Sequence, residues 1–306
     1  MRGPLSDRVK AWFLSHLATR LIKPPAIKLT ARAVGEAVVI QVPTRHGPVR
    51  CLITRPAAAA PLAGARPPVH VNFHGGAFLI GAPRQDEHLV RLIAGEVGAV
   101  VVNVDYSRAP GVRFPHAHEE CFDVLRWVAT SGDDLGWDGG RITISGGSAG
   151  GNLALGALEQ ARRAGGPAVR AAVLVVPAVD VSAPLDTYVS DIPKPFVGPA
   201  LVRTMQNAYF PDEAQRRDPL ASPALAGATL AALPPLLIMT AQHDSLRPQQ
   251  ERFVEQVRAL GVDVIERCFP GVDHDFNLSE KTPHAIWDEF TRLVVEHLQV
   301  HLRVRG

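Results

Sequence analysis

Short runs of β-branched and aliphatic residues alternate with longer amphipathic stretches along most of the chain. Glu36–Val42 and Val49–Thr54 are β-branched runs separated by His46-Gly47-Pro48, which predicts a hairpin. Ala57–Pro68 is rich in Ala, Pro and Gly and reads as a loop. Apolar runs at Val69–Phe73, Ala99–Val104, Arg141–Ser145, Ala171–Val176, Leu236–Thr240 and Val262–Cys268 predict strands. Gln85–Gly98, His116–Ser131, Ala149–Gly165, Pro248–Leu260 and Pro283–Arg303 predict the helices between and after them, while Asp180 to about Leu233 is less regular. At the N-terminus, Leu5, Val9, Trp12, Phe13, Leu17 and Leu21 recur at helical spacing, predicting an amphipathic helix packed on the protein's own body. Apolar strands alternating with helices mean a mostly parallel sheet covered on both faces. Ligands in such sheets bind where the strands end, so chemistry is to be sought just after each strand.

Composition narrows the picture. The 306 residues are 46% hydrophobic, which suits one large α/β domain. The formal net charge of +2 comes from interspersed acids and bases, so no nucleic-acid footprint is expected. Cys51, Cys121 and Cys268 are too few and too scattered for a disulfide framework or a zinc site, and are expected as buried free thiols. Met1–Pro25 lacks the unbroken apolar core of a signal peptide, and no run approaches the roughly 18–20 apolar residues that span a bilayer. A cytoplasmic chain without stable membrane insertion is expected.

The strand Arg141–Ser145 is followed by Gly146-Gly147-Ser148-Ala149-Gly150-Gly151 and then a helix. This is the G-x-S-x-G nucleophile elbow, in which the chain reverses so sharply that the serine is strained and its neighbours must be small. Gly146, Gly150 and Gly151 provide that room. The competing phosphate-loop reading fails, because there is no Lys-Ser/Thr of a Walker A loop and no G-x-G-x-x-G in register. Ser148 at a helix N-terminus is placed where negative charge is favoured.

His74-Gly75-Gly76-Ala77-Phe78 follows the strand Val69–Phe73. Its glycines let the backbone approach a reacting group, so Gly75 and Gly76 N–H, with Ala149 N–H after the nucleophile, are the expected oxyanion hole. His74 is expected to hold this loop rather than to react. A serine hydroxyl needs a base, and the base needs an orienting carboxylate, in the chain order Ser, Asp/Glu, His. Beyond Ser148 stand His243, His274, His284, His297 and His301, the last three expected at the surface of the C-terminal helix. His274, in the loop after the last strand, is the expected base. Asp244, just after Leu236–Thr240, is the expected carboxylate, with helix N-capping as its alternative role. Asp273 and Asp275 adjoin His274 too closely to orient its ring, and His243 reads as a loop residue. Phe78, Leu79 and the Tyr188–Phe210 region are candidate pocket walls.

These motifs, together with Asp105-Tyr106-Ser107-Arg108-Ala109-Pro110, Phe114-Pro115, Asp218-Pro219-Leu220-Ala221-Ser222-Pro223 and Gly271-Val272-Asp273-His274-Asp275-Phe276, resemble the hormone-sensitive-lipase-like (bacterial family IV) esterases. The resemblance implies an α/β-hydrolase fold, with a mostly parallel eight-stranded sheet flanked by helices. It also implies a cap from about residues 1–33 and 180–217, no metal or organic cofactor, short- to medium-chain acyl ester substrates and a candidate homodimer. Two departures stand out: Gly147 where the family usually has Asp, and Tyr106-Ser107-Arg108-Ala109-Pro110-Gly111 where it has Tyr-Arg-Leu-Ala-Pro-Glu. The same triad serves amide hydrolases and acyltransferases, and some proteins of this fold bind small molecules without catalysis. The expected activity is carboxylic ester hydrolysis.

Overall fold

The structure, a computed structural model, describes residues 5–13, 15, 19 and 24–303. Leu17 and Leu21 of the expected N-terminal stripe lie outside the described residues, as does the side chain of Leu5. Helix α1 (Leu5–Phe13) precedes a hairpin of β1 (Val38–Thr44) and β2 (Gly47–Thr54). Then come β3 (Pro68–Phe73), α2 (Glu87–Leu92), β4 (Val100–Asp105), α3 (His116–Thr130), α4 (Gly132–Leu135), β5 (Asp138–Gly147), α5 (Ala149–Ala164) and β6 (Val169–Val175). The chain continues through α6 (Pro199–Tyr209), α7 (Glu213–Arg216), β7 (Leu236–Ala241), α8 (Arg247–Ala259), β8 (Val264–Phe269) and α9 (His284–Leu302). The eight strands form one sheet in the order β1-β2-β4-β3-β5-β6-β7-β8, antiparallel at β1–β2 and β2–β4 and parallel elsewhere.

Strand alternation sorts the core into two halves. Val69, Val71, Phe73, Ile142, Ile144, Ala172 and Leu174 belong to one apolar cluster, which includes residues of α3, α5 and α8. Val101, Val173, Val175, Leu237 and Met239 belong to the other, with α2 and Trp287, Phe290 and Val294 of α9. At β3 and β5 this second face changes character. His70, Asn72, Thr143 and Ser145 are buried there and bonded to one another.

Several sequence readings need correction. The single helix read at Gln85–Gly98 is a 3₁₀ turn (Pro83–Asp86), then α2, then a π-turn (Ile93–Val97) closed by Gly98 in the left-handed region. The irregular stretch after Asp180 contains α6, opened by Gly198-Pro199 in the way proline at a first helical position favours. His297 is buried rather than at the surface, because it lies three residues after Val294 on the apolar stripe of α9; His284 is exposed and His301 half-buried. Cys51 and Cys121 are buried, but Cys268 is half-buried because β8 is a sheet edge. Helix α1 meets α6 and buries Ala11, whereas Val9, Trp12 and Phe13 are exposed. No described helix is long and apolar enough to cross a membrane.

Candidate active site

The sharp turn read between β5 and α5 is present. Ser148 has φ 53° and ψ −116°, a strained conformation for a residue with a side chain. A Cβ at Gly146 would collide with the Gly150 backbone, and one at Gly150 with the carbonyls of Phe73 and His74. Strand β5, helix α5 and the loop after β3 can meet at this point only because no side chain intervenes. The approach delivers Ser148 to the end of the central strand.

His274 and Asp244 converge on it from separate strand ends. Asp244 follows β7 and His274 follows β8. His274 Nδ1 lies 2.9 Å from Asp244 Oδ2, and His274 Nε2 lies 2.8 Å from Ser148 Oγ. A carboxylate can only accept, so Nδ1 carries the proton and Nε2 is left to accept the serine hydroxyl. Asp244 also receives the Leu246 N–H on Oδ1 and the Gln250 amide on Oδ2, which hold it against the ring. It therefore bonds the turn before α8 and the imidazole together, but it does not cap the helix, whose N-cap is Leu246 without a side-chain capping bond. Burial favours neutral His274, but the charge and hydrogen bond of Asp244, aided by Asp273 and Asp275, outweigh it and raise the pKa above the ordinary histidine value.

Gly75, Gly76 and Ala149 surround the same serine. A Cβ on Gly75 would sit 3.1 Å from Gly147 O and 3.5 Å from Ser148 Cβ. Gly76 has φ +125°, and a side chain there would strike the Ile80 carbonyl, so glycine is required. Among the described residues none of these three N–H groups donates to a backbone carbonyl outside regular helices and strands. The loop is braced by buried His74, whose Nδ1 is 2.8 Å from Gly75 O and whose ring stacks on Tyr106 at 4.3 Å. Burial pushes the His74 pKa down to about 4, so the ring is neutral.

A cavity of about 190 Å³ opens beside Ser148. Phe78, Val176, Val181, Val202, Met205 and Leu246 are among its walls. Leu79, also read as a wall, is instead fully buried in the core, while Tyr188 and part of α6 do line the cavity. Phe196, 54% exposed, lies parallel to the His274 ring with centroids 6.0 Å apart. Its N–H donates to Asp273 Oδ2. Residues 190–197 are further tied to the loop around Asp244: Ser190 Oγ donates to His243 O, His243 Nδ1 meets Asp191 Oδ1, and Ser245 Oγ donates to Val197 O. Asp86, which sequence reading passed over as the start of a helix, is also a wall of this cavity. No group of three or more His, Cys, Asp or Glu able to hold a metal occurs among the described residues.

Residues 70–278 match the family described as alpha/beta hydrolase fold. The chain belongs to that family, in its hormone-sensitive-lipase-like branch. It is 32% identical over 272 residues to an ethyl acetate hydrolase of Pseudomonas putida, an alignment covering 86% of this chain and 82% of that protein. It is 29% identical over 255 residues to carboxylesterase NlhH of Mycobacterium tuberculosis, covering 82% and 76%. Among solved structures, a Pyrobaculum calidifontis esterase matches with a TM-score of 0.76 and 30% identity, covering 95% of this chain and 91% of that one. The chain is accordingly a serine carboxylesterase, an enzyme that hydrolyses small-molecule esters.

Proposed function

We propose that Ser148, His274 and Asp244 are the catalytic triad of this esterase and that it acts on short- to medium-chain acyl esters. The observation that carries the reading is the unbroken relay Asp244–His274–Ser148, with bonds of 2.9 and 2.8 Å, at the rim of an apolar cavity. Ser148 Oγ attacks the ester carbonyl as His274 Nε2 takes its proton. Asp244 holds the ring tautomer and stabilises the imidazolium. The N–H groups of Gly75, Gly76 and Ala149 receive the oxyanion, and each such donor is typically worth about 3 kcal/mol in the transition state. His274 then protonates the leaving alcohol, and water repeats the sequence on the acyl-enzyme to release the acid and free Ser148.

In this reading the cap comes from about residues 1–33, of which 1–4, 14, 16–18 and 20–23 lie outside the described residues, and from 180–217. Support comes from Tyr188, Phe196, Val197, Leu201 and Met205, which line the cavity from the second segment, and from α1 lying on α6. The modest cavity favours short to medium acyl chains, and β8, a sheet edge with Ile265 exposed, offers a homodimer contact. The test is hydrolysis of p-nitrophenyl esters from acetate to palmitate, with Ser148→Ala beside the wild type. Turnover should peak at short to medium chains and fall about 10⁴-fold or more in the variant. Near-normal turnover in Ser148→Ala would remove Ser148 from the reaction.

A further inference from the structure

Asp86 is a buried carboxyl group, 5% exposed, on the wall of the cavity that holds Ser148 and His274. No ion pair reaches it among the described residues. Its one hydrogen bond there is from the Asn72 amide to Oδ2, at 3.0 Å. Although Asp86 occupies the N-cap position of α2, its side chain makes no capping bond. The groups behind Asn72 are all neutral. Asn72 Nδ2 also donates to Asn103 Oδ1, Asn72 Oδ1 accepts from Ser145 Oγ, and Ser145 meets His70, which burial keeps uncharged by pushing its pKa down to about 3. Asp86 thus loses hydration without gaining a counter-charge, and burial pushes its own pKa up to about 7.

An opening links this carboxyl to the nucleophile. Gly147 lies two residues after Ser145 on β5, so strand alternation aims its side-chain direction to the face where Ser145 meets Asn72. A Cβ at Gly147 would meet nothing nearer than Asn277 Nδ2, at 3.8 Å. Gly147 and Asn277 both line the cavity, so space beside Ser148 extends toward the polar face that carries Asp86. The opposite limit of the site is set by chemistry. The leaving alcohol must lie against His274 Nε2, and the exposed Phe196 ring on His274 marks that side as the mouth. The acyl group, which stays on Ser148 after the alcohol departs, takes the inner end.

We propose that Asp86, reached through the space beside Gly147, is a specificity residue that binds a hydrogen-bond donor, a hydroxyl or protonated amine, on the acyl chain of the ester. The proposal rests on the esterase reading of Ser148. It explains why a carboxyl stands where an amide would bond Asn72 equally well with no ionisable group to bury. Hydrocarbon walls hold the rest of the chain, and one acceptor at their inner end selects among acids of similar length.

The experiment compares ethyl butyrate, ethyl 3-hydroxybutyrate and ethyl 3-aminobutyrate, which share a leaving alcohol, by titrating the acid released by the full chain. The wild type is expected to show kcat/KM about tenfold higher for at least one donor-bearing ester than for butyrate, and Asp86→Ala, which leaves no acceptor, to bring that ratio to near one. A hydroxyl preference assigns a neutral donor and an amine preference a cation. Ratios at or below one for both esters in the wild type, or a preference that survives Asp86→Ala, would overturn the proposal. The wild-type ratio needs no variant, and Asp86→Leu, which also leaves no acceptor, serves if Asp86→Ala does not fold. Butyrate turnover that persists in Ser148→Ala would count against the triad instead, a failure separate from a flat selectivity ratio.

Discussion

The two faces of the central sheet treat the same two strands differently. On one face β3 and β5 present Val69, Val71, Phe73, Ile142 and Ile144, all fully buried among other apolar residues. On the other, alternate residues of the same strands present His70, Asn72, Thr143 and Ser145, equally deep but hydrogen-bonded in a chain. The first arrangement gains from burial alone. The second carries the cost of desolvating polar groups, offset only while every partner is present. The polar side is also the one that reaches the cavity, through Asp86. Stability is concentrated on the dry face, and the polar face is maintained where it borders the site.

That contrast can be tested directly. Phe73→Ala on the apolar face should cost about 3–5 kcal/mol of unfolding free energy, read as a lower urea midpoint. A loss below about 1 kcal/mol would mean that the dry face is not what holds the sheet. On the polar face, Asp86 should impose a pH slope. An unfolded aspartate releases its proton near 3.8, whereas Asp86 in the fold keeps it until about 7. Between those values the native state holds the extra proton, so the contribution of Asp86 to stability is fully present below the unfolded value, declines as pH rises and is lost above about 7. The decline attributable to Asp86 is up to about 4 kcal/mol, and Asp86→Asn should remove it. A variant whose pH–stability curve overlays the wild type would show that the carboxyl is not buried in this way. The smallest effect belongs to Ser145→Ala, which strands His70 Nε2 and Asn72 Oδ1 and should cost about 1–3 kcal/mol. A neutral result there would mean that the polar chain has other partners.

Much of this architecture was legible beforehand because it follows from periodicity. The six strand runs and four of the five helical stretches correspond to single observed elements, with ends displaced by a few residues, while the fifth, Gln85–Gly98, is divided into three. The elbow, the glycine loop, Asp244 and His274 were legible because each stands just after a strand, where an α/β sheet collects its chemistry. What escaped was set by tertiary contact. His297 looked solvated by residue type, yet helical spacing from Val294 turns it inward. Asp86 sits between Arg84 and Glu87, so its neighbours suggest a surface turn, and only the approach of Asn72 from β3 shows a buried carboxyl. The π-turn at Ile93–Val97 left no signal, because Gly98 marks where a helix stops and not how its last turn is wound.

The four hydrogen bonds that bind residues 190–197 to His243, Ser245 and Asp273 have a mechanical consequence. Those three residues flank Asp244 and His274 directly in sequence, so the segment beside the cavity mouth and the two loops beneath it behave as one linkage. Loosening any one of these bonds is felt in the loops that carry Asp244 and His274 as well as in the segment itself. The rim of the cavity and the Asp244–His274 pair thus share one set of tethers, and the alignment of the pair depends on bonds made one residue away from it.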